Sequence, residues 1–283
     1  MGSFPSIFND VLGPVMRGPS SSHSAASLRI GRMALDLMDS DIKNVVVDYD
    51  PNGALVTTHL SQGSDLGLTG GILGWETDDS RLPNYRDEVV KAGIKIEVRY
   101  LDYGAEHPNT YRLALRSENK EHTMTAISTG GGMIEVQQID GIPVRMKGDY
   151  YETLIFIKDS DEGLVGWLSK DNTFEEVLFI EGGECSLINL KGREKPADEL
   201  LEELNSYSSV IEVRVLNPIL PVLAKKDLKV PFSSVQEMEE YRKGKEEMSL
   251  GELGTIYESA RAGISLEQAR NRMESLIKIM ESS

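Results

Sequence analysis

A single cysteine, Cys185, is present in the 283 residues. One thiol excludes an intrachain disulfide. It also excludes an iron–sulfur cluster held by this chain alone, which needs three or four thiolates, and a cysteine-rich zinc site. Long apolar runs are missing too: none approaches the roughly 18 residues of a membrane span. Basic residues are scarce beside acidic ones, 30 Lys and Arg against 46 Asp and Glu, for a formal net charge of −16. That balance argues against a general nucleic-acid binder and against attraction to anionic membranes. The N-terminus, MGSFPSIFND, has no basic start and no long apolar stretch, so it does not read as a signal peptide, and a cytoplasmic location is expected. There is no internal repeat and no low-complexity tract.

What is there describes an ordinary globular chain: 40% hydrophobic and 27% charged residues, long enough for about two domains. The expected fold class is α+β, in four parts. Residues 1–147 mix helix-like and strand-like segments. AASLRIGRMALDLM places Leu28, Met33, Leu37 and Met38 on one helix face. IKNVVVDYD, KIEVRYLD and TYRLALRSE read as strands, and SDLGLTGGILGW as a helix packed tightly on a sheet. TMTAISTGGGMIEVQQIDG reads as two strands meeting at Gly130, Gly131 and Gly132. Residues 148–222 follow the order βαββαβ, a ferredoxin-like arrangement characteristic of small ACT-type regulatory domains, with a turn at Gly182 and Gly183. Residues 223–231 read as a polar linker ending in proline. Residues 232–283 carry three helix signals, each with an expected capping box: Ser233 with Gln236, Ser249 with Glu252, Ser265 with Gln268. Leu266, Ala269, Met273, Leu276, Ile277 and Met280 form an apolar stripe on the last helix. Three short helices make a marginal core alone, so they are expected to pack on something else.

Four segments could carry chemistry. In RGPSSSHSA, Ser20, Ser21, Ser22, His23 and Ser24 precede a helix, and free N–H groups with clustered hydroxyls suit a carboxylate or phosphate. The bland reading is a helix cap, which needs far fewer hydroxyls. In TTHLSQGSD, Gly63, Ser64 and Asp65 open the next helix beside His59 and Gln62; the alternative is a capped turn, and the phosphate-loop lysine is absent. In EHPNT, Pro108 stiffens a loop where His107 and Asn109 could share a ligand, or simply make a polar strand entry. In STGGGM, three glycines permit close backbone approach or a bend. His122, in ENKEHT, reads as solvated surface, and Cys185 as a buried, inert thiol. No residue set reads as a metal site.

In that order and spacing, RGPSSSHSAASLRIGR, NGALVTTHLSQGSD, HPNTYRLAL and STGGGMIEV resemble the β subunit of iron–sulfur-dependent bacterial L-serine dehydratases. The family pattern runs close to GPSSSHTxGxxRxG, GHGTD, HPNT and SIGGGxIE. The resemblance is strong over about residues 1–145 and weaker through 150–220, where family members carry an ACT domain. The tail, FSSVQEM to the end, looks like the N-terminal helices of the family's α subunit, stopping before its catalytic core.

The resemblance implies a lyase subunit that acts with an α-type partner chain, in a hetero-oligomer whose partner binds the [4Fe–4S] cluster. The cluster's open iron would act as Lewis acid on the β-hydroxyl of L-serine, and a base would take the α-proton. Neither nucleic acid nor membrane is implied as a partner. Catalytic roles fall on His59, Gln62 and Asp65. Substrate binding falls on Ser20, Ser21, Ser22, His23, Ser24, Gly63 and Ser64. Regulatory or ligand-binding roles fall on His107, Asn109, Gly130, Gly131 and Gly132. Two departures stand out. Gln62 replaces the histidine of GHGTD, and glutamine cannot serve as a general base. His59 could take that role, or the base could lie on the partner, or the substrate could be another β-substituted amino acid. Ser24-Ala25-Ala26-Ser27 also replaces the family's threonine and glycine at the helix start. A non-catalytic amino-acid-binding regulatory protein is the alternative, because a similar domain serves as an allosteric site in some phosphoglycerate dehydrogenases. A purely structural scaffold is the third reading.

Overall fold

The structure is a computed structural model that describes residues 4–158, 160–226, 228–245 and 247–282. It is an α+β fold in two units: Met16–Leu220, and residues up to Val15 together with those from Pro221 onward.

The first unit contains two sheets. One is built from β1 (Asn44–Tyr49), β2 (Lys95–Tyr100), β3 (Thr110–Arg116), β4 (Glu121–Gly130), β5 (Met133–Ile139) and β6 (Ile142–Met146). Their order is β2-β1-β3-β4-β5-β6, and only β1 and β2 pair in parallel. A parallel pair needs a crossover. Here α2 (Leu55–Thr58), α3 (Ser64–Ile72) and α4 (Tyr85–Lys91) supply it. On β3 the alternation of TYRLALR buries Tyr111, Leu113 and Leu115. Each such side chain contributes roughly 1.5–3 kcal/mol.

The helix that precedes β1, α1 (Ala26–Leu37), is buried on most of its surface, because one face meets the sheet core and the other meets α3. The α1–α3 crossing is backbone-close. A Cβ on Gly71 would stand 2.0 Å from the Leu28 carbonyl oxygen, and one on Gly31 would stand 2.5 Å from that of Leu68. The glycine-rich helix therefore packs on α1 as well as on the sheet: its small residues face α1, while Leu68 and Ile72 join the sheet core.

The second sheet holds β7 (Tyr151–Ile157), β8 (Phe174–Ile180), β9 (Ser186–Gly192) and β10 (Val210–Leu216), in the order β10-β7-β9-β8 and fully antiparallel. With α5 (Glu162–Leu168) and α6 (Asp198–Ser206) the chain order is βαββαβ. One face buries Ile155, Ile157, Ile188 and Leu190 under Leu164, Leu168 and Leu204. From the other face, Leu154, Phe156, Leu187 and Leu216 enter the core of the first sheet. Glu152 on β7 is fully buried. One of its oxygens accepts from Asn189 at 2.9 Å, the other has no partner, and burial pushes its pKa up to about 7.

Two readings of burial are corrected here. His122 is not solvated. It is the second residue of β4, 4% exposed, with Nδ1 2.7 Å from Asp140 and Nε2 3.1 Å from Glu212 on β10. Burial opposes its charge, but the two carboxylates prevail and raise its pKa to about 9. Cys185, just before β9, is half-buried rather than buried; burial raises its thiol pKa, with the carboxylates of Asp140, Glu184 and Glu212 adding to the effect.

The second unit contains α7 (Val235–Arg242), α8 (Leu250–Ala262) and α9 (Leu266–Ser282). Ser249 and Glu252 form the expected reciprocal box, and Ser265 and Gln268 do the same. At α7 the cap is one residue later than expected: Ser234 accepts from the Glu237 amide, and Glu237 accepts from Ser233. Glu237 is acidic and reaches back where the neutral Gln236 was expected to do so. The N-terminal segment is stitched to α8. Buried Glu258 accepts from the Ser6 hydroxyl at 2.6 Å and the Ile7 amide at 2.8 Å, and the side chain of Asn9 brackets Val222 by donating to its carbonyl and accepting from its amide. Phe8, Val222 and Ala262 form a small apolar core beside them. The 223–231 linker is irregular, and its Asp227 lies outside the described residues.

Candidate active site

All four chemistry-bearing segments meet at one end of the first sheet, where β1 and β2 finish and β3 begins. The register sets Tyr49 opposite Tyr100, and Tyr111 lies one position from the Asp48–Arg112 pair. After β1 the chain enters residues 54–65, and this stretch is the hub.

His59 follows α2 and is 4% exposed. Its Nδ1 lies 2.7 Å from Asp65 Oδ1 and its Nε2 2.8 Å from the Tyr100 hydroxyl. The Tyr49 ring packs 5.2 Å away. Asp65 sits in the first turn of α3, and the Ser64 amide donates to the His59 carbonyl at 2.7 Å, which locks the approach of the two. Tyr100, the last residue of β2, is 55% exposed, so it is the outward end of an Asp65–His59–Tyr100 chain. Tyr111 donates to the Ser64 hydroxyl at 2.9 Å, and the buried Tyr49 hydroxyl has no partner.

The serine loop lies on the other side of the hub. Ser21–Ala25 form a π-helical turn that runs straight into α1. The Ser20 and Ser22 hydroxyls lie 3.1 and 3.2 Å from His23 Nδ1, and His23 Nε2 lies 3.1 Å from Thr58 Oγ1. Thr58 donates its own proton to the Ala54 carbonyl at 2.7 Å, so it accepts from His23. The neutral imidazole therefore carries its proton on Nε2. Burial lowers the His23 pKa, which favours that neutral form. Ser24 donates to the main-chain carbonyl of Gln62 at 3.0 Å. Gly63, at φ +84°, leaves room for this contact, since a Cβ there would stand 2.3 Å from Ser24 Oγ. The Gln62 side chain and the Ser21 hydroxyl make no hydrogen bond among the described residues.

The remaining segments brace the hub. Pro108 accepts from the Ala54 amide at 2.8 Å, and Asn109 accepts from the Ser128 amide at 3.1 Å. His107 Nδ1 accepts from the Asn109 amide at 3.1 Å, while Asn109 Oδ1 is buried with no partner. His107 and Asn109 are thus neighbours, engaged with each other through the backbone. Gly130, Gly131 and Gly132 all have positive φ (103°, 61° and 87°) and turn β4 into β5. A Cβ on Gly130 or Gly131 would meet nothing within 4 Å, so conformation rather than close approach accounts for these two glycines.

At the start of α3 several backbone N–H groups already have partners. Those of Ser64 and Asp65 point to the His59 carbonyl, and that of Gly67 to Gly63. Among the described residues no group of three or more His, Cys, Asp or Glu could hold a metal ion. No helix among them is long and apolar enough to cross a membrane.

No family model matches the chain. Among curated proteins it is 32% identical over 216 residues to the probable L-serine dehydratase β chain of Bacillus subtilis (strain 168), covering 74% of this chain and 97% of that one. The chain belongs to the L-serine dehydratase β-chain family. It is also 30% identical over 162 residues to the L-serine dehydratase β chain of Peptoniphilus asaccharolyticus, covering 56% of this chain and 72% of that one. About a quarter of the chain lies outside the longer match.

For this β-chain family member, four residues of the site escaped sequence reasoning. Tyr100 closes the His59 chain, and Thr58 receives His23. Ser128 donates to the Ser22 carbonyl at 2.7 Å. Arg29 donates to the Gly132 carbonyl at 2.6 Å. Arg29 had a signal: it falls on the arginine of the family pattern that begins GPSSSH. Tyr100 had none, since its partner is set by a parallel strand register.

Proposed function

We propose that the chain is the β-type subunit of an L-serine dehydratase, an ammonia-lyase that converts L-serine to pyruvate and ammonia. It acts with an α-type partner chain that carries the [4Fe–4S] cluster and the remaining catalytic groups, in a cytoplasmic hetero-oligomer. The observation that carries this reading is the Asp65–His59–Tyr100 chain beside the His23 loop, in a member of the L-serine dehydratase β-chain family.

In this reading His59 stands in for the histidine that Gln62 replaces. Asp65 holds the Nδ1 proton and stabilises the imidazolium that forms when Nε2 takes a proton. His59 is too buried to meet substrate, so the Tyr100 hydroxyl passes the α-proton inward. Ser21 and the neutral His23 loop supply donors to the amino-acid carboxylate, and Ser20, Ser22, Ser24, Gly63 and Ser64 hold that loop and the hub in shape. His107, Asn109 and Gly130–Gly132 brace the far side. The tail, including α7 to α9, is the part that joins the α-type partner.

The test is anaerobic co-purification with the natural partner chain, with iron, sulfide and pyruvate release from L-serine assayed together. Partner, cluster and pyruvate are expected. Pyruvate from the isolated, metal-free chain would contradict the reading. The glutamine at position 62 favours a second reading, a non-catalytic amino-acid-binding regulator; a chain that captures neither partner nor iron would put that reading first.

A further inference from the structure

Beyond the last turn of α1, against the outer edge of β10, lies a cleft of about 320 Å³. That size falls at the lower end for small-molecule sites. Asp36, Ser40, Lys195, Asn205, Arg214 and Asn217 are among the residues lining it. Their charges are incompletely matched within the protein. Asp36 Oδ2 accepts from the Asn217 amide at 2.7 Å and from its side chain at 3.1 Å, which leaves Oδ1 without a partner. The Arg214 side chain is 11% exposed. Its guanidinium donates to the Val213 carbonyl at 2.8 Å and pairs with Glu212, yet its Nε is buried with no partner. Lys195 makes no ion pair or hydrogen bond among the described residues. The cleft thus presents the unengaged Oδ1 of Asp36 and the unengaged ammonium of Lys195, with Asp39, whose Oδ2 pairs with Lys120 at 3.6 Å, at the same cleft.

We propose that this cleft binds a free α-amino acid as its zwitterion, with the ammonium on Asp36 and the carboxylate on Lys195. Ser40 and Asn205 stand at the same cleft to meet the ligand's side chain. A ligand of one charge would answer only one set of these groups and leave the other desolvated; a zwitterion answers both. The cleft is separate from the hub. The serine loop precedes α1 and Asp36 lies near its end, so most of this 12-residue helix, about 18 Å long, stands between them.

The test is isothermal titration of the full chain with each of the twenty common L-amino acids. At least one is expected to bind. Its deaminated acid and its decarboxylated amine are each expected to bind at least about ten-fold more weakly. Lys195→Glu, at an exposed position with no structural bonds, is expected to weaken binding by about ten- to a hundred-fold, as is Asp36→Asn, while His59→Ala leaves it unchanged. Binding by none of the twenty, full binding by the acid or the amine alone, unchanged affinity in Lys195→Glu, or loss only in His59→Ala would each overturn the proposal. No partner chain or turnover is needed, so the result is independent of the dehydratase reading.

Discussion

His59 and His122 have nearly the same first half. Each is 4% exposed, and each sets Nδ1 2.7 Å from an aspartate. They differ at Nε2: His59 meets the hydroxyl of half-exposed Tyr100, whereas His122 meets a second carboxylate, Glu212. Two carboxylates bind the proton on His122 and tie β4 to β10, which makes it a structural cation. The partner at His59 is thus a neutral phenol rather than a second carboxylate. The second neighbour, rather than burial or the aspartate, separates the two histidines, and it is what assigns the chemical role to His59 in the proposed reading.

The sharpest way to break this comparison is His59→Ala in the assembled enzyme. Turnover should fall by about 10²–10⁴-fold, the usual range for a lost acid–base group. Near-normal turnover would remove His59 from the chemistry. His122→Ala should do the reverse. Two partly buried carboxylates lose their cation, and a denaturant titration should register about 3 kcal/mol of lost stability with KM for serine unchanged.

The wild-type chain should also show the His122 proton in its pH dependence. Its pKa is raised from 6.5 to about 9 on folding, so the contribution is fully present below pH 6.5 and is lost as pH rises through 9. The loss is at most about 3 kcal/mol, and melting curves of His122→Ala should lack that component. Tyr100→Phe removes the relaying hydroxyl and should cost turnover about as much as His59→Ala, about 10²–10⁴-fold, with the thermal midpoint nearly unmoved. The smallest effect is expected where a buried carboxyl has no histidine at all. The Glu152 pKa is raised on folding to about 7, so its favourable contribution is present at low pH and disappears as pH rises through 7. Glu152→Gln should therefore be more stable than wild type at pH 8 by about 1 kcal/mol, and a destabilised variant there would mean that Asn189 depends on the charge.

Local signals were legible in the sequence. Alternation found β2 and β3, glycine content found a tightly packed α3 though not its contact with α1, and serine followed by glutamate or glutamine found the starts of α8 and α9. The four candidate segments were legible as motifs, but their meeting at one end of the first sheet was not, because it depends on pairing between distant strands. What was not legible depends on distance along the chain. His122 meets Asp140 and Glu212, 18 and 90 residues away, so nothing near ENKEHT hints at its burial. Tyr100 reaches His59 only because β2 lies parallel to β1 in one register; a shift by one residue would turn its side chain to the other face. Residues 6–9 look like an ordinary N-terminus, and their attachment to Glu258 and Val222 spans more than 200 residues.

Position 62 serves the fold through its main chain alone: Ser24 reads the Gln62 carbonyl, an oxygen every amino acid supplies. The architecture at this position is therefore independent of the side chain. Side chains can be exchanged there without loosening the serine loop, and a lineage could lose or regain a histidine at 62 while the surrounding scaffold registers no change. Drift in activity is easiest at a residue of that kind, since selection on folding does not see it.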